Sequence, residues 1–191
     1  MTLSLMVRGD GITKLTEAVR ILGEGKARNA YRRAINEAGA RTKTPTGRAL
    51  AQQTGLKKSV TARALKVSKA SSVDLSYTLS GRGGEIDLKH FGARETRRGV
   101  SAAPFGKRQI FEGSFIKAGR FPNRVEMKKG GQVFERVRMS RFPIEKMKSG
   151  VIIPAEMVKG VTASTFERVG QKELAEKVAR HIRLVTKGVL S

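Results

Sequence analysis

The chain contains 191 residues with 39 lysines and arginines against 16 aspartates and glutamates, which gives a formal net charge of +23 at pH 7. With 39% apolar residues, a chain of this length can bury a core and fold as one domain. It contains no cysteine, which excludes disulfide bonds, thiol nucleophiles and thiolate metal sites.

The excess of positive charge favours acidic partners, which are nucleic acid, an anionic membrane or an acidic protein surface. A membrane is the least suitable, because no run of about 18 apolar residues predicts a transmembrane helix and the alanine-rich helix faces carry few large anchors. The N-terminal residues MTLSLMVRGDGITK lack a charged segment followed by an apolar one, so we expect no signal peptide. We therefore expect a soluble protein of a cytoplasm, or of a particle assembled there.

Residues 10–66 are predicted to be mainly helical. Before them, LSLMV alternates apolar and polar residues as a short strand or an extended arm does. A first helix is predicted to begin at Asp10, whose carboxylate can accept hydrogen bonds from the first turn, and to end at the GEG of residues 23–25. Its apolar face is predicted to contain Ile12, Leu15, Val19 and Leu22.

The second helix has the clearest periodicity. Small apolar residues recur at helical spacing between Ala27 and Ala38, which predicts close packing against another element. Thr44 and Pro45 are predicted to restart a helix, with the proline in its first turn, and this helix is expected to end at Gly55. The sequence LKKSVTARALKV then predicts a short basic helix that leads into a strand.

Residues 67–153 are predicted to be sheet-rich, with extended loops or arms. VDLSYTLSG alternates as a strand does, with Val73, Leu75, Tyr77 and Leu79 on one side. RVEMKKGGQVFERVRM predicts a hairpin, because two alternating runs flank the glycines of KKGG. RFPIEKM and VIIPAEM each contain a proline, which predicts extended connectors or edge segments.

Residues 154–188 are predicted to close the fold as a helical region. An apolar row at a spacing of four residues runs along it through Phe166, Gly170, Leu174, Val178 and Ile182. Helices, then a mostly antiparallel sheet, then a closing helix predict the α+β class. We expect a single domain over residues 1–191, with N-terminal helices and a long C-terminal helix packed on a small sheet.

The sequence gives little support for catalysis. His90 and His181 are far apart and lack the spacing of a metal-binding motif. We expect His181 to face solvent and His90 to have a structural or interfacial role. The acidic residues are scattered, and the segments GEG and GRGG match no phosphate-binding loop. We predict a protein that is not an enzyme and that uses neither a metal nor a cofactor.

Two groups of basic residues are candidate contacts for DNA or an acidic partner, because cations displace counterions from phosphates. One group lies on the predicted basic helix, and the other lies in the segment IDLKHFGARETRRGVSA of residues 86–102. Their members are Lys57, Lys58, Arg63, Arg94, Arg97 and Arg98. A further group, Arg136, Arg138 and Arg141, follows a strand pattern. A solvated surface is the more frequent role of any single cation, and no known signature predicts base-specific readout.

The chain contains, in this order, the segments IDLKHFGARETRRGVSA, EGSFIKAG, GGQVFERV and RFPIEKMKSGVIIP. Together they resemble the prophage minor tail protein Z family, which comprises tail-completion proteins of long-tailed, lambda-like phages. The upstream TGLKKSVTARALKV is similar to the basic helix that precedes the sheet in that family, so the resemblance extends from about residue 10 to the closing helix. None of these segments is a catalytic motif, and their combined order carries the resemblance.

Members of that family act at the head-proximal end of the tail. The resemblance therefore implies a structural virion protein that is assembled in the host cytoplasm, completes the tail at the head–tail junction, and supports head–tail joining and the correct positioning of the DNA end. It also implies an α+β fold, a homo-oligomeric and hexameric ring, and contacts with the tail terminator or head–tail connector proteins. It does not decide whether the protein contacts the backbone of double-stranded DNA.

Apolar residues of the same segments are predicted to form subunit contacts or to anchor loops on the core. They are Ile86, Leu88, Phe91, Phe115, Ile116, Phe142 and Ile144. Packing in the protein's own core is the alternative for each of them.

A different class of function also stays open, which is a stand-alone protein that coats or condenses DNA without reading its sequence. Such a protein is expected to bind duplex DNA with a steep salt dependence and to be absent from virions, whereas a tail-completion protein is built into them.

Overall fold

The computed structural model describes residues 1–7, 10–120 and 122–186. Five α-helices occur in this part of the chain: α1 (Asp10–Leu22), α2 (Glu24–Thr54), α3 (Lys58–Ala64), α4 (Ile153–Met157) and α5 (Gly160–Val185). The structure does not describe the side chain of Leu22, which is predicted on the apolar face of α1, and residues 187–188 of the predicted closing region lie outside the described residues. No helix within the described ranges is both long and apolar enough to span a membrane.

Short antiparallel strands make up the rest of the regular structure. They are β1 (Thr2–Met6), β2 (Leu65–Ser68), β3 (Ser76–Gly81), β4 (Glu85–Asp87), β5 (Arg94–Glu95), β6 (Gly99–Ala102), β7 (Gln109–Glu112), β8 (Lys117–Ala118), β9 (Val125–Glu126), β10 (Phe134–Arg136), β11 (Ile144–Lys146) and β12 (Lys148–Ile152). They form the sheets β1-β3-β2 and β5-β6-β7 and the pairs β4-β12, β8-β9 and β10-β11. The predicted α+β class is confirmed.

The helices α2 and α5 form an antiparallel pair. Near the end of α2, the Gln53 Oε1 atom accepts a hydrogen bond from the backbone N–H of Thr162 in the first turn of α5, at 3.0 Å. Further back along α2, the Glu37 Oε2 atom lies 3.0 Å from Nε2 of His181 in the last turns of α5. The small buried residues predicted on α2 allow the two helix axes to approach closely.

The main core lies between α2 and the β1-β3-β2 sheet. Leu5 and Leu79 of the sheet are buried together with Ile35 of α2. Gly39 of α2 faces the ring of Tyr77, and a Cβ atom at Gly39 would lie 2.3 Å from that ring. The absence of a side chain at this position therefore sets how closely the sheet packs on the helix.

One prediction about the helices is wrong, since no helix restarts at Thr44 and Pro45. The helix α2 runs without interruption through Pro45 and ends at Gly55, which has the left-handed φ of 75°. Proline removes one backbone donor, but Thr42 and Thr46 on either side of it are buried, and Thr46 Oγ1 donates to the carbonyl oxygen of Thr42 at 2.8 Å. Tertiary packing along both sides of the proline holds the helix together.

The predicted hairpin of residues 124–139 is also wrong. Gly130 and Gly131 do take positive φ values of 61° and 68°, as a turn requires. The runs on either side of this turn do not pair with each other. Instead β9 pairs with β8 before it, and β10 pairs with β11 after it. Alternation shows that a segment can be a strand, but it does not select the partner strand.

Two smaller predictions need correction. Val73 precedes β3 and is 88% exposed, so it does not share the buried side of Tyr77 and Leu79. VIIPAEM is not an extended connector throughout, because residues 153–157 form α4 with Pro154 in its first turn. A proline is tolerated at that position, since the first backbone N–H groups of a helix have no partner within it.

Candidate partner-binding groove

A groove of about 860 Å³ lies among the short strands between β5 and β11. We call it the cationic groove, because cations outnumber acids among the described residues that line it. The cations are Arg97, Arg98, Lys117, Arg120, Arg124, Arg136 and Arg141, and the acids are Glu112 and Glu135. Its apolar lining includes Phe115, Met127, Met139, Phe142 and Ile144.

The groove includes part of the predicted basic set. Arg97 and Arg98 are exposed and line it, at the turn between β5 and β6. Arg94 is exposed on β5 but is not among the lining residues. The other predicted cations, Lys57, Lys58 and Arg63, are exposed on or next to α3 and do not line the groove. Of the two groups that the sequence suggested, only Arg97 and Arg98 line the groove.

The predicted interface residues also divide into groups. Leu88 and Phe91 are 0% and 3% exposed in the main core, so these side chains offer no surface to a neighbour. The alternative of core packing holds for them because they fall in a short 3-10 helix (Leu88–Phe91) whose apolar side turns inward. Ile86 and Ile116 are partly buried and pack against the same core. The remaining three, Phe115, Phe142 and Ile144, line the cationic groove.

Two arginines of the groove stack on aromatic rings. The guanidinium carbon of Arg136 lies 5.9 Å from the ring centroid of Phe115, and that of Arg141 lies 5.7 Å from the ring centroid of Phe142. Phe115 also packs against Phe134, with 6.3 Å between the ring centroids. Each guanidinium lies within the range of a cation–π contact, and both arginines remain exposed.

A buried ion pair joins the strands that form the groove. Arg124 and Glu95 are bonded to each other and are only 16% and 11% exposed, and Glu95 also accepts a hydrogen bond from the backbone N–H of Ile116 at 3.3 Å. The pair connects the end of β5 with the β8-β9 strands. Since its charges neutralise each other, Arg124 positions the strands and contributes little net charge to the groove.

Several groove cations were missed by the sequence analysis. Lys117, Arg120 and Arg124 are spread over a stretch without a recognisable motif, and pairing of β8 with β9 brings them together. Arg136 and Arg141 were noted for their strand pattern but were not assigned to a site. The high density of cations in residues 117–141 was the available signal, and it could not show that these side chains share one surface.

A second charged cluster connects α2 with α5 outside the groove. Glu37 contacts His181, Arg180 at 3.2 Å and Lys177 at 3.5 Å. The hydrogen bond from His181 lowers the pKa of Glu37 from its ordinary value, partial burial opposes this shift, and the charges of Lys177 and Arg180 add to it. The expectation that His181 faces solvent is wrong, because its side chain is only 17% exposed and is held by Glu37 of the neighbouring helix.

His90 lies in the short 3-10 helix and is partly buried. Burial lowers the pKa of His90, and the charges of Lys89 and Arg63 lower it further against the opposing effect of Asp87. At a given pH the ring is therefore protonated to a smaller extent than an ordinary histidine. Within the described ranges, no three histidine or acidic side chains are grouped closely enough to hold a metal ion.

Comparisons with protein-family models, with curated proteins and with solved structures give no match for this chain.

Proposed function

We propose that the protein is a structural component of a phage virion that completes the head-proximal end of the tail, supports head–tail joining and helps to position the DNA end. It would act as a homo-oligomeric ring, hexameric as the resemblance implies, against the tail terminator or the head–tail connector. The order of four segments that resemble minor tail protein Z supports this assignment. The proposal assigns no chemical reaction to the protein.

The observation that carries an assembly role is the cationic groove with its exposed apolar lining. Phe142 is 64% exposed and Met139 is fully exposed, although both are large apolar side chains. Exposed apolar side chains beside clustered cations are typical of a surface that another macromolecule covers.

Immunogold electron microscopy of purified virions tests the proposal, with an antibody against this chain and particles of the phage that encodes it. We expect a single cluster of label at the head–tail joint. Because an assembled subunit can hide its epitope, disrupted particles serve as the control. Absence of the chain from both intact and disrupted particles would overturn the proposal.

The stand-alone DNA-binding alternative is favoured by one specific observation, which is the exposed cationic surface of α3 away from the groove. Lys57 and Lys58 are exposed there, and Arg63 is exposed with its Nε donating to the carbonyl oxygen of Ser59 at 3.2 Å. If this surface coats DNA, duplex binding weakens steeply as salt rises, and the substitution of these three cations by serine flattens that dependence. This result together with absence from virions would select the alternative.

A further inference from the structure

We propose that the cationic groove binds an extended, acidic segment of a partner protein that also carries apolar side chains. The inference rests on the proposed assembly function and names the class of partner that this surface takes. Four features of the groove lead to it: its charge, its apolar lining, its stacked arginines and its size.

The charge of the groove selects an acidic occupant. Arg97, Arg98, Arg136 and Arg141 are exposed along it, and each can donate to a carboxylate. The groove of a second copy is a poor occupant, because it carries the same arginines and would bring like charges together, so subunits of the proposed ring would contact one another through other surfaces. A different protein or a nucleic acid is the better source of the negative charge.

The apolar lining separates these two possibilities. Met139 is 102% exposed and Phe142 is 64% exposed, and Ile144 lies beside them in the groove. Covering such side chains stabilises a complex only if the occupant brings apolar groups of its own. A peptide with leucine or phenylalanine among its acidic residues does so, whereas a sugar–phosphate backbone presents charged and polar atoms.

The stacked arginines and the acids point in the same direction. The Phe115 ring lies under Arg136 and packs against Phe134, so it is a poor platform for a base. The planar guanidinium groups of Arg136 and Arg141 match the geometry of a carboxylate. Glu112 and Glu135 in the lining repel a continuous row of phosphates, while a peptide can place its carboxylates away from them.

The size of the groove agrees with a short stretch of chain. Its volume of about 860 Å³ lies within the range of clefts that enclose a ligand of a few residues. A cleft of this volume does not enclose a DNA duplex, which is far larger than a peptide of a few residues. An extended peptide can lie along the groove and place alternate side chains on its charged and apolar parts.

Fluorescence anisotropy with labelled short probes tests the proposal on the full chain. The first probe is a peptide in which aspartate alternates with leucine and phenylalanine, and the second is a peptide of equal charge in which serine replaces the apolar residues. Single-stranded and duplex DNA of comparable charge are the third and fourth probes. We expect the apolar acidic peptide to bind at least about tenfold more tightly than the charge-matched peptide at physiological salt.

Three variants assign this binding to the groove. Arg136→Ser combined with Arg141→Ser is expected to weaken the apolar acidic peptide about tenfold or more. Phe142→Ser is expected to remove the preference for the apolar probe and to leave the fold intact, because this side chain is exposed. Arg168→Ser combined with Lys172→Ser removes the same charge from exposed positions of α5 and is expected to leave binding almost unchanged.

The outcomes are distinct. The inference would be overturned if the two peptides bind equally tightly. It would also be overturned if the double arginine variant and the α5 variant lose the same affinity for the apolar acidic peptide, or if either DNA probe binds more tightly than this peptide and the double arginine variant abolishes that binding. If the peptide result fails while the chain still labels the head–tail joint, only the partner class is wrong. If the apolar acidic peptide binds as expected while the chain is absent from virions, the tail-completion function is wrong, but the groove still binds a peptide of this class.

Discussion

At the scale of single residues, two glycines of α2 differ sharply in what surrounds them. A Cβ atom at Gly39 would lie 2.3 Å from the Tyr77 ring, which is closer than any normal contact. A Cβ atom at Gly47 would lie 3.5 Å from Cδ1 of Leu65, which is an ordinary contact. An alanine at Gly47 would therefore show only the higher helix propensity of alanine, whereas an alanine at Gly39 would also crowd the sheet.

We predict opposite effects of alanine at these positions. Gly39→Ala is expected to lower the free energy of unfolding by about 1–3 kcal/mol, because the Tyr77 ring and its strand must move. Gly47→Ala is the matched control and is expected to raise it by about 0.5–1 kcal/mol through helix propensity. Urea denaturation of both variants checks this. A Gly39→Ala variant as stable as Gly47→Ala would show that the sheet does not pack on α2 in this way.

At the scale of elements, the packing of α2 on α5 includes a charged contact that responds to pH. The pKa of Glu37 is lowered in the folded protein by its hydrogen bond with His181 and by the neighbouring cations. Since the unfolded chain then binds protons more readily than the folded one, the contribution of Glu37 is complete above its ordinary pKa of 4.5 and is lost as the pH falls through the lower, folded value.

Replacement of Glu37 by glutamine is expected to lower the free energy of unfolding by about 1 kcal/mol at neutral pH, near the upper end for partly exposed ion pairs. The difference from wild type should shrink as the pH falls below 4.5. Chemical denaturation across a pH series measures this. Glu24→Gln is the control, since its ion-pair partner Arg28 is on the same helix, at 3.5 Å. A difference that persists unchanged in acid would contradict the account.

The turn between β5 and β6 is the element that ties the predicted basic set to the groove. We predict that changing Arg94, Arg97 and Arg98 together to serine leaves the chain folded but lowers the yield of infectious particles, because exposed cations contribute to partner contacts and little to the core. Circular dichroism and a complementation assay measure the two effects. Serine at Arg168, Lys172 and Arg183, which are exposed on α5, is the control. Unchanged infectivity would sink the prediction.

The elements that the sequence predicted well are those whose type follows from their own local pattern, wherever their partners lie. The alternation of β1, the basic helix α3 and the apolar row of α5 all follow from local spacing. The partners of β9 and β10 could not be predicted in this way, since several alternating segments compete for each strand. Arg97 and Arg98 could be predicted as a local cluster of cations. That they share one groove with Arg120 and Arg136 depends on the same strand pairing and could not be predicted.

At the scale of the whole molecule, the net charge of +23 has a thermodynamic effect of its own. Like charges across the surface repel one another more in the compact state than in the unfolded chain, and dissolved salt screens this repulsion. The screening length falls from about 30 Å at roughly 0.01 M salt to about 8 Å at roughly 0.15 M.

We therefore predict that the thermal unfolding midpoint rises as sodium chloride is raised over this range. A variant with Arg168→Glu and Lys172→Glu, two exposed positions of α5, carries less net charge and is expected to show a weaker rise. Calorimetry of both proteins at several salt concentrations measures the slopes. A midpoint that falls with salt in the wild type would mean that favourable ion pairs, such as those of Glu37, outweigh the general repulsion.

The antiparallel pairing of α2 with α5 also affects how the chain is made on the ribosome. The partner of α2 begins only at Gly160, more than a hundred residues after α2 ends at Thr54. While the intervening strands are synthesised, the small apolar face of α2 has no α5 to cover it. Packing of α2 against α5 therefore waits until residues 160–185 have been synthesised, and a nascent chain stopped before Gly160 would expose a face suited to chaperone binding.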